Sequence, residues 1–124
     1  MAEAALDKAI NTGNPRNIET LVAQYGVQIF ESYTNFGERK ETALHRAINQ
    51  AQTEVALNLL QNKKSVVQAM VTHQDFRGET PLHRCGWCGR YEIARRLLNF
   101  GEIVNTPNLL GLTALHLAAE RGIL

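Results

Sequence analysis

Apolar residues recur along the chain at the three- and four-residue spacing of amphipathic helices, in short segments that come in pairs. Gly26 and Gly101 each follow one of these segments, and glycine ends helices well because it tolerates a positive φ. The pattern predicts an all-α chain whose paired short helices bury their apolar sides against each other. The apolar positions are, in chain order, Ala4, Ala5, Leu6, Ala9 and Ile10; Ile18, Leu21, Val22 and Tyr25; Leu44, Ala47 and Ile48; Val55, Ala56, Leu59 and Leu60; and Ile93, Ala94, Leu97 and Leu98.

One short motif occurs three times. It stands at Thr42-Ala43-Leu44-His45, at Thr80-Pro81-Leu82-His83 and at Thr113-Ala114-Leu115-His116, and its threonines are 80 − 42 = 38 and 113 − 80 = 33 residues apart. A period near 33 residues with this T-x-L-H core is typical of ankyrin repeats, and the chain resembles an ankyrin-repeat protein over nearly its whole length. The resemblance implies a solenoid of stacked helix-turn-helix units from which short β-turn fingers project.

We expect residues 1–124 to form a single ankyrin-repeat domain of four units. Residues 1–36 are a divergent capping repeat without the T-x-L-H core, and residues 37–74 are an extended repeat. Residues 75–107 match the family best, and residues 108–124 form a truncated repeat. Because repeats need stacked neighbours to bury their faces, we expect the chain to be the N-terminal part of a longer array.

The second unit departs from the family pattern in three ways. Residues 27–40 predict an elongated finger, and the apolar positions within residues 63–71 predict an extra helical turn that shields the edge of the stack. Ala51 stands where glycine usually separates the two helices of a repeat. We therefore expect the irregular features of the domain to lie in this unit.

Composition narrows the classes of partner. The 124 residues carry 13 Lys and Arg against 12 Asp and Glu, and a net charge of +1 does not predict nucleic-acid binding. No apolar run approaches the ~18 residues of a membrane span, so we expect no membrane insertion. Two cysteines do not form a disulfide framework, and the acidic first residues do not resemble a signal peptide. We expect a cytoplasmic protein, or one in the host cytosol if it is a secreted effector.

The three motif histidines recur once per repeat without a catalytic partner. The resemblance implies that each ties one finger to the next by hydrogen bonds, with the threonine hydroxyl helping to orient its ring. His73 lies outside any motif. We expect the chain to be no enzyme, with no catalytic residue, no bound metal and no cofactor.

Cys85-Gly86-Trp87-Cys88 is the one enzyme-like string. A C-x-x-C pair that opens a helix can do redox chemistry, and a Cys pair with His73 or His83 could contribute to a zinc site. No second C-x-x-C or H-x-x-x-H completes four zinc ligands, and the resemblance implies that Cys85 occupies a small buried alanine position. A thiol-redox or zinc-binding protein built on Cys85 and Cys88 remains the alternative function.

Trp87 is the most informative single residue. By the resemblance it ends a first helix and lines the concave face, where tryptophan is a common interface anchor. The other interpretation is that it packs over the extended second repeat. The leucines of the fourth finger also have two interpretations, as a partner patch or as a surface that a downstream repeat covers. The resemblance implies a partner-binding strip consisting of Arg39, Glu41, Asn49, Gln50, Phe76, Arg77, Glu79, Trp87, Cys88, Leu109, Leu110 and Leu112.

The resemblance implies a protein–protein interaction module that binds a protein partner through its concave face and finger tips. Within the family, the chain resembles the partner-binding part of a larger adaptor, regulator or host-directed bacterial effector. A structural spacer that positions a downstream enzyme is a further interpretation. Self-association through the truncated C-terminal repeat is a further expectation.

Overall fold

The computed structural model describes residues 2–26, 40–62, 64–100 and 102–122. Within these ranges the chain forms α-helices and two 3-10 segments and contains no β-strand, which confirms the predicted all-α class. The 3-10 segments are Leu98–Phe100 and Glu102–Asn105. The α-helices are α1 Ala2–Thr12, α2 Pro15–Tyr25, α3 Ala43–Asn49, α4 Thr53–Leu59, α5 Lys64–Thr72, α6 Pro81–Cys88, α7 Tyr91–Leu97 and α8 Ala114–Glu120.

The helices stack in two rows. The first row runs α1, α3, α6 and α8, and each helix packs against the next. The second row runs α2, α4 and α7, and each of its members also packs against its partner in the first row. The interior between the rows is apolar, with Leu44, Ile48, Leu59, Ile93 and Leu97 fully buried. The predicted stack of helix-turn-helix units is therefore confirmed.

Threonine begins three helices of the first row. Thr42, Thr80 and Thr113 are the N-caps of α3, α6 and α8, and each hydroxyl accepts from the backbone N–H three residues later. That later residue is the motif histidine, whose ring nitrogen accepts in return from the threonine N–H. The T-x-L-H motif is thus a capping box in which histidine takes the place of the usual Glu or Gln.

A left-handed residue separates the two helices of each pair. Gly13 and Gly89 adopt φ of +72° and +73°, and Gly122 follows α8 at +71°. At the same place in the second pair stands Ala51, with φ +58°. This conformation brings a Cβ close to the following carbonyl oxygen and costs an L-residue roughly 1–2 kcal/mol. The unusual alanine at this position is therefore accommodated with backbone strain.

Replacing Ala51 by glycine is expected to stabilise the protein. Relief of the left-handed strain outweighs the extra entropy that glycine gives the unfolded chain, so we expect a gain of about 0.5–1 kcal/mol. Urea unfolding of Ala51→Gly measures it. Gly89→Ala is the matched control and should lose stability. A lower midpoint for Ala51→Gly would contradict the prediction.

The second unit carries a complete additional helix. The sequence predicted one extra turn within residues 63–71, whereas α5 spans nine residues and packs against α3 and α6. Its apolar side is buried through Val66, Val67, Met70 and Val71, because these residues repeat at helical spacing over more than two turns. The predicted elongated finger at 27–40 lies outside the described residues, apart from Lys40.

Of the predicted apolar positions whose side chains the structure describes, two are exposed instead of buried. Tyr25 is the last residue of α2, where no further turn follows to pack against it. Leu98 follows α7 on a side that no other helix of the described chain covers. No helix in the described ranges has the length and apolar character that crossing a membrane requires. The bounds of the four repeats stay a prediction.

Candidate protein-interaction surface

The motif histidines join successive units. Because Nδ1 of His45 accepts from the Thr42 N–H, its Nε2 carries the proton and donates to the Glu79 carbonyl at 2.8 Å. In the same way, Nε2 of His83 donates to the Leu112 carbonyl at 2.9 Å. Burial lowers the pKa of His45 from 6.5 to about 4, so its ring is neutral at neutral pH. These contacts confirm the structural role that the resemblance implied for the two histidines.

His73 takes part in the same bonding, although no motif identified it. Its Nε2 donates to the Lys40 carbonyl at 2.9 Å, and its ring meets the His45 ring edge-on with centroids 6.2 Å apart. The adjacent Gln74 donates to the Pro107 carbonyl at 3.2 Å. Each of these two bonds spans 33 residues along the chain, which is one repeat. His73 therefore takes part in the inter-repeat bonds although it lies outside any motif.

A continuous series of polar side chains crosses the stack from α1 to the finger before α8. We call it the polar ladder. Consecutive members are joined by hydrogen bonds of 2.6 to 3.5 Å. The members in spatial order are Asp7, Arg46, Glu41, Asn49, Arg84, Glu79 and Asn108.

Two arginines carry the ladder from one unit to the next. Arg46 on α3 bonds Asp7 of α1 at 2.6 Å and Glu41 at 3.5 Å. Arg84 on α6 bonds Glu79 at 3.1 Å and reaches back to the Asn49 amide oxygen at 2.8 Å. Burial opposes the charge of Arg46, but its two carboxylate partners outweigh that effect and raise its pKa. The ladder therefore pairs each of these partly buried arginines with a carboxylate instead of leaving it uncompensated.

Glu41 and Glu79 lie inside the ladder and not on a finger surface. Both side chains are buried, and Glu41 also accepts from the Asn49 amide at 2.6 Å. Glu79 accepts from Asn108 at 3.1 Å. The prediction that these two glutamates contact a partner is corrected, because each directs its carboxylate towards an arginine of its own unit.

Asn108 stands where the preceding finger has Asp75, and its place in the polar ladder favours an asparagine. Asp75 and Asn108 build the same turn, in which one side-chain oxygen accepts two backbone N–H groups of the finger. An asparagine also has an NH2 group to donate, and that group bonds the buried carboxylate of Glu79. An ionised aspartate at this position would place two carboxylates together.

Sequence reasoning missed the ladder, although a signal for it was present. The full shared string is E-T-x-L-H-R, at Glu41–Arg46 and at Glu79–Arg84. In the third copy, Leu112 and Leu117 replace the glutamate and the arginine. A glutamate and an arginine that recur together in successive repeats predict an ion pair in each of those repeats.

The tips of the last two fingers touch and expose apolar side chains. The Leu109 N–H donates to the Arg77 carbonyl at 3.0 Å, which brings the two tips together. Leu109 and Leu110 are 77% and 82% exposed, and Phe76 is also exposed. The Arg77 guanidinium lies 5.0 Å from the centre of the Phe76 ring. We call Phe76, Arg77, Leu109 and Leu110 the fingertip patch.

Trp87 is half-buried at the end of α6 and contacts the fourth unit. The Arg121 guanidinium lies 4.7 Å from the centre of its ring, and Arg121 Nε donates to the Trp87 carbonyl at 3.2 Å. Neither contact involves the extended second repeat. The Trp87 ring is therefore covered by Arg121 at the end of α6.

The other predicted strip residues differ in how accessible they are. Gln50 and Cys88 are half-buried, and Leu112 is half-buried with its carbonyl bonded to His83. Asn49 is also half-buried, and both ends of its amide are bonded within the ladder. Arg39 lies outside the described residues. The structure brings Phe76, Arg77, Leu109 and Leu110 together, whereas it assigns Asn49 to internal bonding.

The two cysteines differ in environment, and both are free. Cys85 is buried in the core, and that burial raises the pKa of its thiol, so it stays protonated at neutral pH. Among the residues that the structure describes, no group of three or more His, Cys, Asp or Glu could hold a metal ion. The buried, protonated thiol of Cys85 gives no support to the redox alternative.

Comparison with known proteins decides the family. The family model described as ankyrin repeats, with three copies, matches residues 6–108 and 61–124. The chain belongs to the ankyrin-repeat family. The family is a protein-interaction fold and typically non-enzymatic.

A solved structure shows the same ankyrin architecture. A chain of the crystal structure of the yeast ribosomal protein Rps3 in complex with its chaperone Yar1 is similar to this chain with a TM-score of 0.83. The match covers 98% of this chain and 85% of that chain, at 20% sequence identity. At this identity the likeness shows the fold alone.

Proposed function

We propose that this ankyrin-repeat protein binds a protein partner through the fingertip patch and the concave face beside it. The observation that carries the proposal is the pair Leu109 and Leu110, which expose most of their surface on a finger tip that bonds to the tip carrying Phe76 and Arg77. Contiguous exposed apolar side chains commonly mark a site of protein interaction. Arg77 adds a cation to this apolar surface.

The chemistry of the patch indicates what it recognises. The leucines and Phe76 would accept apolar side chains, and Arg77 would pair with a carboxylate of the partner. Stacking on Phe76 already orders the Arg77 side chain, which lowers the entropy that binding would cost. Trp87, covered by Arg121, supplies a second aromatic anchor of the kind that is frequent at interface hot spots.

Within this class, we propose that the protein acts as an adaptor or a regulator, or as a host-directed bacterial effector. The two settings differ in where the partner occurs. Immobilised protein is therefore incubated with extract from its own cells and, separately, with candidate host extract. A partner captured from only the host extract supports the effector role, and one captured from only its own cells supports the adaptor or regulator role.

We expect Arg77→Ala, Leu110→Glu and Trp87→Ala each to weaken binding of the captured partner at least tenfold. A tenfold loss corresponds to ~1.4 kcal/mol, a common size for the loss of an interface anchor. Titration calorimetry with the purified partner measures it. Arg96→Ala, an exposed arginine on α7, is the control and should bind like the wild type. An equal loss in Arg96→Ala would contradict the proposed surface.

A further inference from the structure

The charged side chains of the fingers are separated by sign. Within the described finger residues 40–42, 73–80 and 105–113, the lysine and the arginine are exposed, whereas every carboxylate is buried. The exposed residues are Lys40 and Arg77, and the buried ones are Glu41, Asp75 and Glu79. The polar ladder and the finger turn bond these carboxylates internally. A chain with a net charge of only +1 therefore presents a cationic finger surface.

Both exposed cations lie on fingers that already have the next finger beside them. The Leu109 N–H donates to the Arg77 carbonyl at 3.0 Å, yet Arg77 and the adjacent Phe76 remain exposed. In the same way, His73 before the third finger donates to the Lys40 carbonyl at 2.9 Å, and the Lys40 side chain remains exposed. The cationic surface is therefore a property of packed fingers within the stack.

Lys40 has a backbone conformation that is unfavourable for lysine. Its φ is +53°, and the equivalent residues of the next two fingers are Gly78 at +74° and Gly111 at +78°. Glycine adopts this left-handed conformation without the steric cost that a Cβ brings. Backbone strain of this kind accumulates at functional sites. The lysine at a glycine position therefore favours a role for its ammonium group beyond folding.

We propose, on the basis of the proposed function, that the fingertip patch and Lys40 together select an acidic segment of a protein partner. Apolar side chains of that segment pack on the exposed leucines and Phe76, and its carboxylates pair with Lys40 and Arg77. Opposite charges across an interface speed encounter and exclude like-charged partners. Nucleic acids and anionic membranes fit less well, because their binding by charge usually needs several lysines and arginines together.

Selection from a random peptide library displayed on phage tests the class of partner. The wild type and the double variant Lys40→Glu/Arg77→Glu are immobilised and screened in parallel. We expect the wild type to enrich apolar peptides with an excess of Asp and Glu, and the double variant to enrich apolar peptides with an excess of Lys and Arg. Apolar peptides without an acidic excess on the wild type would overturn this proposal and leave the proposed function standing. Peptides whose binding Leu110→Glu does not change, or no enrichment at all, would overturn both.

Fluorescence anisotropy with the most enriched acidic peptide separates binding from folding. Lys40→Gly removes the charge and the left-handed strain together, so we expect about threefold weaker binding with a urea midpoint no lower than that of the wild type. Lys40→Glu should weaken binding about tenfold. Arg96→Glu makes an equal change in net charge at an exposed position of α7 and should bind like the wild type. Wild-type affinity in Lys40→Gly, or an equal loss in Arg96→Glu, would overturn the proposal.

The rival ligands are measured with the same protein. Vesicles that contain phosphatidylserine and a short single-stranded RNA replace the peptide in separate titrations. We expect both to bind more weakly than the acidic peptide. Tighter binding of either one that Arg77→Glu abolishes would show that the cationic fingers recognise a lipid surface or a nucleic acid, and would overturn the proposal.

Discussion

Glu79→Leu is expected to destabilise the protein by about 3–5 kcal/mol, because it leaves the largely buried Arg84 without its carboxylate partner. Asn108 loses a hydrogen-bond acceptor in the same variant. Because Glu79 bonds residues of two successive units, its loss weakens the contact between those units. Urea unfolding of Glu79→Leu and the wild type measures the difference.

The double variant Glu79→Leu/Arg84→Leu provides the decisive comparison. The fourth unit has Leu112 and Leu117 at the two equivalent positions, so the fold accepts an apolar pair there. Replacing a buried ion pair by apolar residues is often close to neutral, and we expect the double variant to recover at least 2 kcal/mol over the sum of the single variants. Additive losses would show that Glu79 and Arg84 do not act as a pair.

Acidification from about pH 6.5 to about pH 4 is expected to destabilise the protein through His45. Its pKa is about 4 in the folded state, chiefly because of burial, against 6.5 ordinarily. The unfolded state therefore binds more protons in this window, and stability falls as the pH falls. The full contribution, about 3 kcal/mol, is present above pH 6.5 and is lost by about pH 4. Glu79, Arg84 and the neighbouring His73 also act on this ring.

His45→Gln isolates that contribution from the carboxylates that titrate in the same range. Glutamine cannot gain a proton, so the variant should lose about 3 kcal/mol less than the wild type between pH 7 and pH 4. Urea unfolding over this range provides the measurement. His116→Gln serves as the control, since it makes the same replacement at an exposed histidine. If the free energy of unfolding fell equally with pH in the wild type and in His45→Gln, the assignment of this pH dependence to His45 would be contradicted.

The helices and their caps could be predicted because they depend on residues close together in sequence. Thr42, Thr80 and Thr113 act within the turn that they begin, so the motif alone identifies three helix starts. The length of α5 was underestimated, because the longer period around residues 63–71 was interpreted as an added turn. Its four buried residues show that this segment has a complete apolar face of its own.

The candidate site was predicted less completely. Leu109, Leu110, Phe76 and Arg77 are exposed as expected, and the resemblance identified them by position. Glu41 and Glu79 come from the same fingers but are buried, because arginines five residues later draw their carboxylates inward. A finger position by itself does not distinguish a side chain that faces a partner from one that faces its own helix.

The sequence by itself determined the all-α class, the repeat period, the helix starts and the family, because each of these is encoded within one unit and then repeated. Only the tertiary structure decided which polar residues join into the ladder and which finger residues are buried instead of exposed. Arg84 meets Asn49 across 35 residues, and the buried Glu79 meets Asn108 of the next finger. Both facts depend on how neighbouring units stack, which the pattern within a single unit does not contain.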